Sequence, residues 1–568
     1  MITRFMRVCL RPSGFLTGAA LLVSALLPRA AAAQTWQKTL AAGSASTGFS
    51  VALETASAPG GDVYVAGEFS GSLQLGATTL VSAGLKDVFV ARWSAADNRF
   101  VWAQRAGGPE DEFFGGVAAA GTSVYLAGTF GSSTASFGTI SLQNAGAYNL
   151  FVAKLTDAGS AASFTWAQRA GGLRDDEAFD VAVSGTSVYV SGAFSSSSVA
   201  FGASQLNLSS FYDLFVAKLT DAGSTGSFVW AQQATGTGSE EGVSLAAEGS
   251  DVYVSGVFNG LTARFGNTLL TNSGDTDGFL ARLTDNGPTG SFVWAQSLNG
   301  IGSDFADAVA VSGDNVYVAG SFASPTLAVG AATLTSAGLS DAFVAKFTRG
   351  GTFGWARRAG GSGDDQASGM AVQGSRVYVT GVFESIDADF GSATLASIGS
   401  YDVFVTRLQD AGSSSSFQWT QRAGGPAEEF ASGLTVDGAN VSISGGIGGP
   451  ATFGSQSMAL PAASVAAAFV ARLTDAGALA MAEPAWAAGL QLYPNPAPTQ
   501  ATVRLAGATG PVQVQLLDAV GRVVHTAAAS PAQAAQGLTL PLTHLVPALY
   551  RLSVRAGGQQ VFRQLAVQ

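Results

Sequence analysis

Along most of this chain, short apolar runs alternate with Gly, Ser, Asn and Asp. Residues 176–194, DEAFDVAVSGTSVYVSGAF, show the pattern, and DLFVAKL at 213–219 continues it. The runs are short, rich in Val, Phe and Tyr, and bounded by turn formers, which predicts strands. Several, such as LFVAKL, are apolar or small on both faces, which predicts sheets covered on both sides.

The pattern recurs. A Trp stands at 36, 102, 166, 230, 294, 355 and 419. A VYV-like strand recurs at Val63, Val124, Val188, Val252, Val316, Val377 and, degraded, at Val441-Ser442. An FVAKL-like strand begins at Phe89, Phe151, Phe215, Phe279, Phe343, Phe404 and Phe469. The order inside a repeat is fixed: an acidic DEAFDVAVSG strand, SVYVSGAF, a turn-rich FG…L segment, DLFVAKL, a TDAGS turn and SFTWAQRAGG. Four main strands per repeat predict one antiparallel sheet, and such sheets repeated around an axis make a β-propeller.

The ends of the array predict closure. It starts on a Trp strand (Thr35–Leu40) and ends on an FVARL strand (Phe469–Leu473), so the N-terminal strand would complete the seventh blade and close the ring. A linear array of the same units is the alternative. The motif D-x-A…VAV-x-G-x-x-VYV-x-G, legible in DFADAVAVSGDNVYVAG, resembles the bacterial seven-bladed β-propeller repeat family, over residues 34–478. The resemblance implies a fold; propellers host many unrelated activities.

Composition narrows the picture. With 73 Gly in 568 residues, 47% hydrophobic and 12% charged, the chain is too apolar for disorder and too rich in Gly for a helical protein. Arg4, Arg7 and Arg11, an apolar stretch from Phe15 to Leu27, and Ala31-Ala32-Ala33 before Gln34 read as a secretory signal peptide over residues 1–33, cleaved between Ala33 and Gln34. Removing its four arginines takes the formal charge from −11 to −15, which argues against nucleic acid as a partner. No later stretch predicts a transmembrane helix. The single cysteine, Cys9, lies in the leader, so the mature chain has no disulfide.

After residue 478 the repeat stops. Residues 479–489 read as a linker, and alternating apolar positions over 490–568 predict a small β-sandwich. This segment resembles the type-A C-terminal sorting domain of the type IX secretion system. Tyr493-Pro494-Asn495-Pro496 matches its opening motif, Asp518 with Gly521-Arg522 its central turn, and Leu549-Tyr550-Arg551-Leu552 its Tyr-containing strand. Ala548 stands where the family usually has Gly, and Arg563 where Lys is common. The resemblance implies passage through the periplasm, engagement of the type IX machinery, and a protein secreted or attached to the outer cell surface.

The acids are the candidate chemistry. Ten residues after each Trp stand Glu112, Asp176, Glu240, Asp304, Asp365 and Glu429, with Ser46 as the exception. A residue repeated in nearly every blade points to blade construction; the alternative is a carboxylate ring at the channel mouth that binds Ca²⁺. Three residues after the Trp stand Arg105, Arg169, Arg358 and Arg422, in the same four repeats that carry Asp111, Asp175, Asp364 and Glu428 nine residues after it. This predicts the ion pairs Arg105–Asp111, Arg169–Asp175, Arg358–Asp364 and Arg422–Glu428. The alternative is that these four repeats are closer copies of one another. Asp87, Asp213, Asp277, Asp341 and Asp402, with Asn149, precede the FVAKL strands and read as turn chemistry, and the recurrent Trp as packing between blades.

Enzyme chemistry has little to stand on. The only histidines, His525 and His544, lie in the C-terminal segment, so the repeats offer no His-based triad or zinc site. A carboxylate-dependent glycosidase or lyase remains as the alternative class. The expectation is an exported binding or structural module without a cofactor, whose loops contact polysaccharide or protein. The irregular stretches 207–213, 272–277 and 299–307 are the places to seek specificity.

Overall fold

The computed structural model describes residues 34–44, 50–391, 393–461, 464–475, 489–505, 510–517, 523–543, 545–556 and 559–567. The expected leader with Ala33 lies outside them, as do Asp518, Gly521, Arg522, His544 and most of the 479–489 linker. The chain divides into two units between Ala476 and Gly477. Among the described residues, no helix is long and apolar enough to cross a membrane.

The first unit is all-β and built from one repeated sheet. In one example, Glu112–Ala120 pairs with Ser123–Phe130, that with Asn149–Asp157, and that with Ala162–Ala170, all antiparallel. The same order of four recurs in sheets whose first strands are Ser50–Ser57, Asp176–Ser184, Glu240–Glu248, Asp304–Ser312, Asp365–Gln373 and Glu429–Asp437. In the last of these the fourth strand is Thr35–Ser44, whose Trp36 lies opposite Leu473 of Ala467–Thr474.

Between the second and third strands, where turns were expected, a short hairpin forms. Thr134–Phe137 pairs with Ile140–Gln143, and Phe137 also pairs with Ala106 on the fourth strand of the preceding sheet. Val329 does the same with Leu298. The hairpin covers a strand edge that would otherwise be bare. Its Phe also fills the core: Phe137 lies 4.8 Å from Phe151 and edge-on to Phe164 at 5.6 Å. Each first strand carries a β-bulge, at Gly115 in one sheet and Val243 in another, which bends it and adds twist.

The cores lie between successive sheets. Val51, Tyr64, Val90 and Trp102 of one sheet share a core with Phe114, Leu126 and Phe151 of the next. Ala468 and Val470 of the last sheet share a core with Val63, Phe89 and Trp93 of the first. Fully burying one Phe or Val side chain contributes about 1.5–3 kcal/mol, so apolar runs on both faces of a strand are satisfied only by a neighbour on each side.

The second unit has two sheets. Leu490–Tyr493, Gln500–Leu505 and Leu538–Pro541 form one; Val523–Ala529, Val512–Leu517, Ala548–Ala556 and Gln559–Val567 form the other. Val503, Leu505, Val514, Leu516, Leu540, Leu552 and Val554 fill the core. A short helix, Pro531–Gln536, starts in a capping box made by Ser530 and Gln533.

Candidate functional site

The six acids Glu112, Asp176, Glu240, Asp304, Asp365 and Glu429 each open the first strand of their own sheet, and each is buried. Most serve as acceptors for the backbone that links one sheet to the next. Glu112 accepts from Gly108 N–H, Asp176 from Gly172 N–H, Asp365 from Gly361 N–H and Glu429 from Gly425 N–H, all at 2.6 Å. Ser196, Ser324 and Ser385 hydroxyls donate to Asp176, Asp304 and Asp365 at 2.7, 2.8 and 2.6 Å. The six are thus held apart in separate sheets. Among the described residues, no group of three or more His, Cys, Asp or Glu is arranged to hold a metal ion.

Five of these acids, Glu112, Glu240, Asp304, Asp365 and Glu429, instead face the Asp that starts the preceding repeat's third strand, namely Asp87, Asp213, Asp277, Asp341 and Asp402. A Cβ on Gly107 would lie 2.3 Å from Asp87 Oδ1 and 2.6 Å from Glu112 Oε2, which is why that position is glycine. Burial, with Asp213 beside it, pushes Glu240 up to about 8. Burial likewise lifts Glu112 and Glu429 to about 7, and Asp304 and Asp365 to about 6, against donors that pull the other way.

The arginine partners differ from the expected ones. Arg105 pairs with Asp87 rather than Asp111, Arg358 with Asp341 at 2.8 Å rather than Asp364, and Arg422 with Asp402 at 3.0 Å rather than Glu428. Arg169 donates to Asn149 Oδ1 at 2.6 Å rather than to Asp175. The register explains this. Arg422 lies opposite Phe404 and Arg105 opposite Phe89, so the acid two residues before each Phe is a diagonal neighbour across the two strands. Asp111, Asp175 and Asp364 instead bridge the backbone of Lys86, Tyr148 and Ser340. Asp175 accepts from Tyr212 at 3.5 Å and Asp364 from Tyr401 at 3.4 Å, while burial pushes Glu428 up. The periodic Asp also bond their own loops: Asp87 takes Ala83 N–H at 2.8 Å and Asp277 takes Ser273 N–H at 2.7 Å.

A polar cluster between neighbouring repeats escaped the sequence reading. Asp221, in the TDAGS turn of one repeat, accepts from Tyr125, Lys154 and Trp166 of the preceding repeat at 2.7, 2.6 and 3.0 Å. Asp285, Asp410 and Asp475 do the same for Tyr189, Lys218 and Trp230, for Tyr317, Lys346 and Trp355, and for Tyr378, Arg407 and Trp419. Arg349 replaces the Asp in one repeat; there its carbonyl takes Trp294 Nε1–H at 2.9 Å and its guanidinium pairs with Asp251 and Glu248. Between last and first sheets, Arg472 donates to Gly61 O at 2.6 Å and lies over the Trp93 ring. The recurrent Tyr, Lys or Arg, Trp and Asp were the available signal. They lie on different strands, so spacing alone does not pair them.

Two cavities stand out among the described residues. One of about 160 Å³ is lined by a residue from the first strand of every sheet, among them Glu54, Val117, Asp180, Ser244, Asp307, Ser368 and Ser432. Two of its carboxylates accept backbone N–H from a neighbouring sheet: Glu54 from Val117 and Asp180 from Leu245, both at 2.7 Å. The other, an open groove of about 580 Å³, is lined by Phe211, Tyr212, Thr237, Ser239, Asn259 and Leu261 with Gly238 and Gly260. Phe211 and Tyr212 belong to the 207–213 stretch singled out above; residues 272–277 and 299–307 do not line it.

In the C-terminal unit, Asn495 Oδ1 accepts Ala566 N–H at 2.9 Å, tying the Tyr493-Pro494-Asn495-Pro496 segment to the last strand. Tyr550 donates to Val546 O at 3.0 Å.

Residues 491–568 match the family of the secretion system C-terminal sorting domain, so this segment is a type IX sorting tail. No curated protein matches the chain. Among solved structures, a protein of unknown function from Dyadobacter fermentans DSM 18053 is similar at 11% identity and TM-score 0.35, over 78% of this chain and 99% of that one. The phage phi92 endosialidase is similar at 9% identity and TM-score 0.35, over 78% and 69%. A structure from a study of two prolyl endopeptidases is similar at 12% identity and TM-score 0.30, over 70% and 53%. Superpositions this loose carry no argument about the chain's activity.

Proposed function

We propose that the first unit closes into a seven-bladed β-propeller, and that it is a non-catalytic binding or structural module carried out of the cell by its sorting tail. One observation supports the ring: a single cavity is lined by residues from the first strands of all seven four-stranded repeats, as strands arranged around one axis would line it. The pairing of Thr35–Ser44 with Ala467–Thr474 supports it. The tail itself means export, with secretion or surface attachment as the outcome.

The repeated acids favour a non-catalytic reading. They are buried, and most are occupied by the backbone donors that shape the loops. The loops at the same strand ends carry exposed Leu85, Phe211, Leu339 and Val465 at equivalent positions, so this is the end we assign to partner contact.

Three measurements test the proposal. Small-angle scattering of residues 34–476 should give a radius of gyration of about 22 Å, the scaling for a compact chain; a clearly larger, rod-like value would indicate the linear array. Deleting residues 491–568 in a type IX-competent host should leave the protein in the periplasm. Incubation of the mature protein with polysaccharides should yield no cleavage products; products would favour the glycosidase or lyase class.

A further inference from the structure

We propose that the groove between residues 211–212, 237–239 and 259–261 binds a neutral carbohydrate chain. This deepens the binding-module reading above and rests on it.

The groove lies where the loops of one repeat differ from those of four sisters. In four others a serine stands twenty residues after the acid: Ser132, Ser196, Ser324 and Ser385. Its hydroxyl accepts the N–H of Glu110, Arg174, Gly302 or Gly363 at 2.7–2.9 Å and so draws two loops together. In the repeat of Glu240 that position is Gly260, as it is Gly449 in the repeat of Glu429, and the hydroxyl is gone. The loops are held instead by Asn259, whose Oδ1 accepts Ser239 N–H at 2.8 Å. Gly260 packs against the Ser239 loop, where a Cβ would lie 2.2 Å from the Gly238 nitrogen, and the groove opens beside this contact. A binding site needs this kind of break in the repeat symmetry.

Its lining selects the ligand. Phe211 and Leu261 are 73% and 77% exposed on its walls. An exposed Phe ring offers a flat apolar face for the C–H side of a sugar. Asn259, with its carbonyl engaged, keeps its NH₂ to donate, and the hydroxyls of Thr237 and Ser239 stand beside it. No charged side chain lines the groove, and the exported chain is strongly acidic, so an anionic polymer is repelled and a cationic one finds no counter-charge. A peptide captured by strand addition needs a bare edge; the nearby Thr235–Gly236 strand is already paired with Arg264 and Ala263. The volume falls within the range of about 300–1,000 Å³ usual for small-ligand sites.

The test is affinity electrophoresis of the full mature chain through gels containing laminarin, dextran, galactomannan or xyloglucan, with alginate and chitosan gels alongside. At least one neutral gel should retard the protein. F211A and N259A should each weaken that affinity about tenfold or more, and F211W should retain it; F211A should melt like its parent because the side chain is exposed, whereas N259A also removes the acceptor for Ser239 N–H and should melt slightly lower. Three results would overturn the site: no retardation in any neutral gel, retardation only in alginate or chitosan, or an F211A/N259A double variant retarded like its parent. In the last case carbohydrate binding through another face would stand while this groove would not. The propeller and export readings keep their own scattering and localisation tests.

Discussion

Trp166 donates its indole N–H to Asp221 of the following repeat at 3.0 Å, and the same carboxylate takes the ammonium of Lys154. The tie is buried, with the Lys154 and Asp221 side chains only 7% and 8% exposed. Burial works against the ionised carboxyl, but Lys154, Tyr125 and Trp166 outweigh it and hold Asp221 below its ordinary value.

D221A should therefore destabilise the first unit strongly. It strands a buried ammonium, a phenol and an indole, a change that typically costs about 3–5 kcal/mol. Urea unfolding of wild type and variant checks it. The native pKa is depressed, so the contribution is present above the ordinary carboxylate pKa and declines as pH falls through the native value. The deficit of D221A should shrink in acid.

Glu240 predicts the opposite slope. Burial raises its native pKa to about 8, well above the ordinary glutamate value. Stability from this site is full below the lower value and is lost as pH rises through the upper one. E240Q should be more stable than wild type at pH 8.5, on the order of 2 kcal/mol, and the gain should vanish near pH 4. Melting curves across that range decide it.

Ser297 occupies the position of Arg105, Arg358 and Arg422, and it lies opposite Phe279 as they lie opposite theirs. Asp277 and Asp304, both raised to about 6 chiefly by burial, have no arginine there. S297R should pair with Asp277 and stabilise the protein by about 1–2 kcal/mol at pH 7.5. Near pH 4, where the pair is protonated, it should gain little. A pH series of denaturant midpoints separates these outcomes.

N495A removes the acceptor for Ala566 N–H in the sorting tail. The expected loss is about 1 kcal/mol in the isolated tail, with a lower fraction of protein reaching the medium or cell surface. Cell fractionation beside the wild type measures it.

The sequence by itself determined the strands, their order within a repeat, and the sorting tail, because these depend on local period and contiguous motifs. Val188-Tyr189-Val190 and Phe215-Val216-Ala217 could form nothing else in that setting. It also marked the acids, since recurrence exposes a position regardless of its neighbours. Only the tertiary structure decided what those acids touch. Arg422 lies six residues from Glu428 yet pairs with Asp402, twenty residues back, because strand register places the latter diagonally across the sheet. Asp221 meets Lys154 and Trp166 because sheets stack face to face. The groove beside Phe211 gathers residues 211–212, 237–239 and 259–261 from three loops that strand order brings together and spacing along the chain does not.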